Sequence, residues 1–309
     1  MKTRHFLTLM DLSPAELSRL MTRAMELKAM HQRGENYMPL AGKTMVMIFE
    51  KSSTRTRVSF EAGMVQMGGV SLFLSPRDTH LDRGEPVEDT ARVLSRMVDV
   101  VVIRANSHAL VERFAAHSQV PVINALTDVN HPCQLLADMQ TYLEKRGEIR
   151  GKKAAWIGDG NNVCHSWISA ARQFGFQLDI ATPRGYEPKA DWIAASRDHV
   201  TLHHDPTKAA RGADIVVTDT WASMGQENEK SQRMKDFAGF MVDNALMKLA
   251  HRDAVFMHCL PAYRDIEVAA EVIDGPQSIV WDEAENRLHA QKALLEFLLG
   301  TAEKNTRSH

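Results

Sequence analysis

Apolar positions along the chain follow two rhythms. Over residues 13–32 they recur at helical spacing, with Leu17, Leu20, Met21, Ala24 and Leu27 on one face. Ser13 is the cap candidate, Pro14 suits the first helical position, and Glu16 completes a capping box with Ser13. Elsewhere the apolar residues form short unbroken runs, at 43–49, 70–74, 98–103 and 120–123, which read as strands. Between them lie helical segments at 54–67, 86–97 and 107–117. A long helix follows over 131–145, its stripe made by Leu135, Leu136, Met139, Tyr142 and Leu143.

After a charged stretch with two glycines, 146–153, the alternation restarts. Strands are predicted at 154–157, 177–181, 200–203, 215–218, 255–257 and 279–281. Helices are predicted at 162–174 and 285–299, the latter ending at Gly300. The boundary between two domains is placed in 146–153. Alternating strands and helices predict an α/β fold of two domains, each a parallel sheet flanked by helices. Ligands of such sheets bind beyond the carboxyl ends of the strands.

Composition narrows the function. The 309 residues suffice for two domains. Lys plus Arg number 37 against 39 Asp plus Glu, a formal net charge of -2. No global basic field attracts nucleic acid and no polybasic tail seeks a membrane, so any anion site must be built locally. Residues 1–11 lack the apolar core of a signal peptide, and no apolar run approaches membrane-spanning length. Cys133, Cys164 and Cys259 are an odd set without paired spacing, which points to reduced thiols and a cytoplasmic location.

The chemistry-bearing residues follow the predicted strands. After the first come Ser53, Thr54, Arg55, Thr56 and Arg57. A helix N-terminus with hydroxyls and a two-pronged guanidinium suits a phosphate. Arg55 and Arg57 are about 200° apart on a helix, so Arg55 is assigned to the ligand and Arg57 to structure. Arg104 ends the third run and is either a surface cation or a second anion contact. His131 and Gln134 share the mouth of the long helix, where they either cap it or polarise a carbonyl oxygen. Gly158-Asp159-Gly160-Asn161-Asn162-Val163 imitates a dinucleotide fingerprint, but Val163 holds the third glycine position, so a tight polar turn is expected instead. Asp219 ends another strand, before Ser223-Met224-Gly225. Cys259 follows a strand end and precedes Pro261; it is either a buried thiol or a functional one. The cysteines and histidines lack the spacing of a zinc site, so no metal is expected.

Taken together, Ser53-Thr54-Arg55-Thr56-Arg57, His131-Pro132-Cys133-Gln134 and His258-Cys259-Leu260-Pro261 resemble the three signatures of the aspartate/ornithine carbamoyltransferase family. Asp219 with Ser223-Met224-Gly225 is similar to its ornithine-using branch, and Cys133 and Cys259 speak against the aspartate branch. The resemblance implies a carbamoyl phosphate-binding domain, 1–147 plus 290–309, with the last helix packing back on it. It implies an L-ornithine-binding domain over 148–289. Ser53, Thr54, Arg55, Thr56, His80, Arg104, His131, Gln134, Cys259, Leu260 and Arg287 would bind carbamoyl phosphate. Asn162, Asp219, Ser223 and Met224 would hold ornithine. Cys259, Asp219, Arg104 and His131 would act in catalysis, without metal or organic cofactor. The product would be L-citrulline, in arginine biosynthesis. The assembly implied is a homotrimer with active sites at subunit interfaces, reached by the 77–86 loop that carries His80.

Overall fold

The computed structural model describes residues 3–79, 84–222 and 229–300. The chain divides into two compact units, Met1–Gln140 with Glu285–His309, and Thr141–Ala284.

The first unit holds a four-stranded sheet of β1 (Thr44–Phe49), β2 (Val70–Leu74), β3 (Val100–Arg104) and β4 (Val122–Leu126). The order is β2-β1-β3-β4 and every pairing is parallel. β1, β3 and β4 are buried almost throughout, as their unbroken apolar runs require. β2 is an edge strand and leaves Val70 and Leu72 exposed. The pairing of β3 with β4 shifts register between Ile103 and Arg104, at the carboxyl end of the strand. The helix Pro14–Gln32 starts as the sequence predicts: Ser13 Oγ accepts from the Glu16 N–H, and Glu16 accepts from the Ser13 N–H. The last helix is Val280–Leu299, and from Glu285 onward it belongs to this unit. Glu296 is buried against Arg23 and Tyr37, Lys292 Nζ donates to Gln66, and the Lys292 stem passes where a side chain on Gly63 would crowd it.

The second unit holds a five-stranded sheet of β5 (Lys153–Ile157), β6 (Gln177–Ala181), β7 (Val200–His203), β8 (Ile215–Thr218) and β9 (Val255–His258). The order is β7-β6-β5-β8-β9, again all parallel. The expected strand at 279–281 does not form. Ser278 makes a single bridge to Phe256, and the last helix begins at Val280, five residues before the predicted start. Three apolar residues in a row fit a strand and the first turn of a buried helix equally well. Among the described residues no helix is long and apolar enough to cross a membrane.

Candidate active site

Two polar clusters form, one at the carboxyl edge of each sheet. In the first unit, Ser53 caps the helix Thr54–Gln66. Its Oγ accepts from the Thr56 N–H and donates to Thr56 Oγ1 at 3.0 Å. No acidic residue stands in the first turn, so the positive end of this helix is not neutralised from within. Arg57 turns away from the cap: it pairs with Glu61 and lies 3.9 Å over the Phe73 ring, as its angular distance from Arg55 predicts. The buried Arg287, carried by the last helix, donates from Nη1 to Gln134 Oε1 at 2.7 Å and from Nη2 to Thr56 Oγ1 at 3.2 Å. Gln134 is held in turn by donating to Asp138. Arg104, at the end of β3, and His131, immediately before the helix Pro132–Arg146, are both buried. Burial first, then the positive fields of Arg287, Arg104 and Arg55, hold the His131 imidazole well below its ordinary 6.5. It is therefore a neutral ring among cations, able to donate a hydrogen bond without charge. The positive fields of three arginines beside a neutral imidazole suit a compact, multiply charged anion.

In the second unit the buried carboxylate of Asp219, just past β8, is held at both oxygens. Oδ2 accepts from Asn161 Nδ2 at 2.8 Å, and Oδ1 accepts from the Thr220 N–H at 2.7 Å and from Cys259 Sγ at 3.2 Å. Asn162 opens the helix Asn162–Phe174, while Asn161 caps it and reaches Asp219. The turn after β9 is fixed by His258. Its Nδ1 accepts from the Leu260 N–H, so the proton sits on Nε2 and faces Glu267 Oε1 at 3.2 Å. Leu260 has a φ of 57° and precedes a cis peptide to Pro261. Asp219, His258 and Cys259 offer ligand atoms within 4.8 Å of one another. Both His258 nitrogens are already engaged, so a metal there would have to break the Leu260 or the Glu267 contact.

Over residues 4–144 the chain matches the carbamoyl-P binding domain of aspartate/ornithine carbamoyltransferases, and over 150–298 their Asp/Orn binding domain. The chain belongs to the aspartate/ornithine carbamoyltransferase family. It is 63% identical over 299 residues to the ornithine carbamoyltransferase of Nitrosococcus oceani, covering 97% of this chain and 98% of that one. The crystal structure of ornithine carbamoyltransferase from Burkholderia thailandensis superposes with a TM-score of 0.90 at 52% identity, over 96% of this chain and 98% of the other. That of the anabolic ornithine carbamoyltransferase from Campylobacter jejuni superposes with a TM-score of 0.89 at 43% identity, over 99% and 100%.

Of the residues that the family resemblance singles out, Ser53, Thr54, Arg55, Thr56, Arg104, His131, Gln134 and Arg287 all fall in the first unit. Asn162, Asp219, Cys259 and Leu260 fall in the second. His80, Ser223 and Met224 lie outside the described residues. Sequence reasoning passes over Asn161, Glu267 and Glu50. Glu50 accepts from the Asn106 N–H at 2.6 Å and so pins the chain just past Arg104. Its place at the end of β1 is a usable signal; Glu267, nine residues beyond His258, gives none.

Proposed function

We propose that the chain transfers the carbamoyl group of carbamoyl phosphate to the side-chain amine of L-ornithine, giving L-citrulline and phosphate. The observation that carries this is the pair of clusters in a chain that matches both family domains. One is cationic around a neutral imidazole; the other is a carboxylate–thiol pair suited to an ammonium group. Ser53, Thr54, Arg55, Thr56 and Arg287 take the phosphate. Arg104, His131 and Gln134 meet the carbonyl oxygen, where negative charge grows during attack. Asn162, Asp219, Ser223 and Met224 take ornithine. Its amine, with a pKa of about 10 in water, gives up a proton to the Asp219 carboxylate, which the Cys259 thiol helps to orient. The nitrogen lone pair then forms a bond to the carbonyl carbon, and the carbon–oxygen bond to phosphate breaks. Phosphate leaves with that electron pair and takes up the second proton from the attacking nitrogen, its remaining charge neutralised by the arginines. The carbamoyl group is already activated by phosphate, so the reaction asks for no further cofactor.

The same reading assigns the enzyme to the synthetic direction of arginine metabolism, which its likeness to the anabolic enzyme of Campylobacter jejuni supports, and to the cytoplasm, which the odd count of three cysteines without paired spacing supports. It assigns a homotrimer, with the carbamoyl phosphate role in 1–147 plus 290–309 and the ornithine role in 148–289. The exposed Val58, Val65, Val70 and Leu72 of the first unit support self-association. Citrulline formation from the two substrates, with no product from putrescine or an acylated ornithine, tests the activity. Absence of citrulline with phosphate-competitive binding of carbamoyl phosphate retained would make the chain a binding protein instead. Sedimentation tests the trimer, and a monomer at micromolar concentration would remove it.

A further inference from the structure

The Gly158-Asp159-Gly160 turn looks like part of a nucleotide motif, yet its groups are spent elsewhere. The Gly160 N–H donates to the Tyr186 carbonyl at 2.8 Å, and a side chain on Gly160 would strike the backbone of Pro188. The turn is therefore closed against 186–188, and the amide that a phosphate would need is taken. What the turn presents is the Asp159 carboxylate, buried, with Trp156 Nε1 donating to the Asp159 carbonyl behind it. Arg233, equally buried, comes from the helix Lys230–Asp236. Its Nη1 donates to Asp159 Oδ2 and to the Trp221 carbonyl, both at 2.8 Å. Its Nε donates to Glu229 at 3.1 Å, and its plane lies 4.9 Å over the Tyr186 ring. Tyr186 and Trp221 both pack on Phe237, and Tyr186 donates to Asp236.

We propose that Asp159 and Arg233 are a positioning pair for the amine side of the reaction, fixing the segment Asp219–Trp221 and through it the carboxylate of Asp219. The proposal rests on the reading that Asp219 meets ornithine. A buried ion pair contributes little net stability over apolar residues of the same size, so its value here lies in what it orients. One guanidinium nitrogen spans a carboxylate and a carbonyl two residues beyond Asp219, and the intervening Thr220 N–H donates to Asp219 Oδ1. Loosening Trp221 thus reorients the acceptor that faces the amine.

The test compares Arg233→Met, Arg233→Lys, Asp159→Asn and the double variant Asp159→Asn/Arg233→Met. In Arg233→Met the KM for ornithine should rise at least about tenfold, which is about 1.4 kcal/mol. Binary affinity for carbamoyl phosphate, measured by calorimetry without ornithine, should stay put. Arg233→Lys should recover most of the loss, and the double variant should be no worse than Arg233→Met, because the pair acts as a unit. An ornithine KM within about twofold of the parent in Arg233→Met overturns the proposal. So does an equal loss of carbamoyl phosphate affinity, or losses that multiply in the double variant. If Arg233→Met does not fold, the milder Arg233→Lys and Asp159→Asn decide by the same KM readout, and unchanged values in both overturn it. Asp219→Asn separates the two levels. An unchanged ornithine KM there removes the underlying reading, whereas a raised one beside an unaffected Arg233→Met removes only the pair.

Discussion

At the edge of the four-stranded sheet, burial and the positive fields of Arg287, Arg104 and Arg55 act on an imidazole held neutral. At the edge of the five-stranded sheet, a buried carboxylate is tied to an amide, a backbone N–H and a thiol. Both edges use the same architecture, parallel strands ending beneath helix N-termini, but they collect opposite charge. The first draws on long cationic side chains from three separate elements, one of them the last helix. The second relies on short side chains within a few residues of their strand ends. The fold supplies a position and leaves the sign of the ligand to the residues placed there.

The contrast can be broken most strongly at the arginines. Arg55→Ala or Arg104→Ala should each remove a charge-assisted contact of roughly 1.5–3 kcal/mol, lowering carbamoyl phosphate affinity by about 10- to 150-fold. Calorimetry checks this, and unchanged affinity in both variants would take the phosphate away from this edge. At the other edge, Asp219→Asn should lower kcat/KM for ornithine roughly 10- to 100-fold and spare carbamoyl phosphate binding; the reverse pattern would exchange the roles of the two units. Cys259→Ala should lower turnover by less, since its thiol is a weak donor through one sulfur contact. Full turnover from neutral to alkaline pH would reduce Cys259 to packing.

Two weaker effects sharpen the comparison through protonation. His131 is held below its ordinary value in the fold, so below about pH 6.5 the unfolded chain binds a proton that the native chain does not. Its contribution to stability is complete above that pH and is lost as pH falls, with a slope approaching about 1.4 kcal/mol per pH unit. His131→Gln should flatten this limb in urea unfolding measured at pH 7 and pH 5; an identical limb would mean the ring is protonated in the fold. Burial pushes the Cys133 thiol up to about 12, with Arg287 partly offsetting it, and Cys164 also rises. Alkylation of the native protein at pH 8 should therefore find Cys259 alone. Labelling of Cys133 would show that the first cluster opens.

Much of this is legible in the chain because parallel strands are short apolar runs with polar residues directly after them. The strands Gln177–Ala181, Val200–His203 and Ile215–Thr218 stand where their runs do, and Arg104, Asp219 and Cys259 mark strand ends. What is not legible depends on partners far away in sequence. Asp159 and Arg233 are 74 residues apart and each looks like a solvated charge until the fold buries both. Asn161 and Asn162 are interchangeable as letters, and only the cap geometry tells which one reaches Asp219. Ile279 and Val280 fail as a strand because a three-residue run carries no period.

The return of the last helix to the first unit has a consequence for biosynthesis. The second unit is one continuous stretch, Thr141–Ala284, and can close as soon as it leaves the ribosome. The first unit is split, and its missing piece brings Arg287, Lys292 and Glu296. At about 5–20 residues per second, the first 140 residues wait roughly 10–30 s for that helix. Through that interval Arg23 and Tyr37 lack the carboxylate they will share, and Thr56 and Gln134 lack the guanidinium that joins them. The cationic cluster can thus be completed only after the whole second unit has been made, and a nascent chain lacks it until Arg287 has left the ribosome.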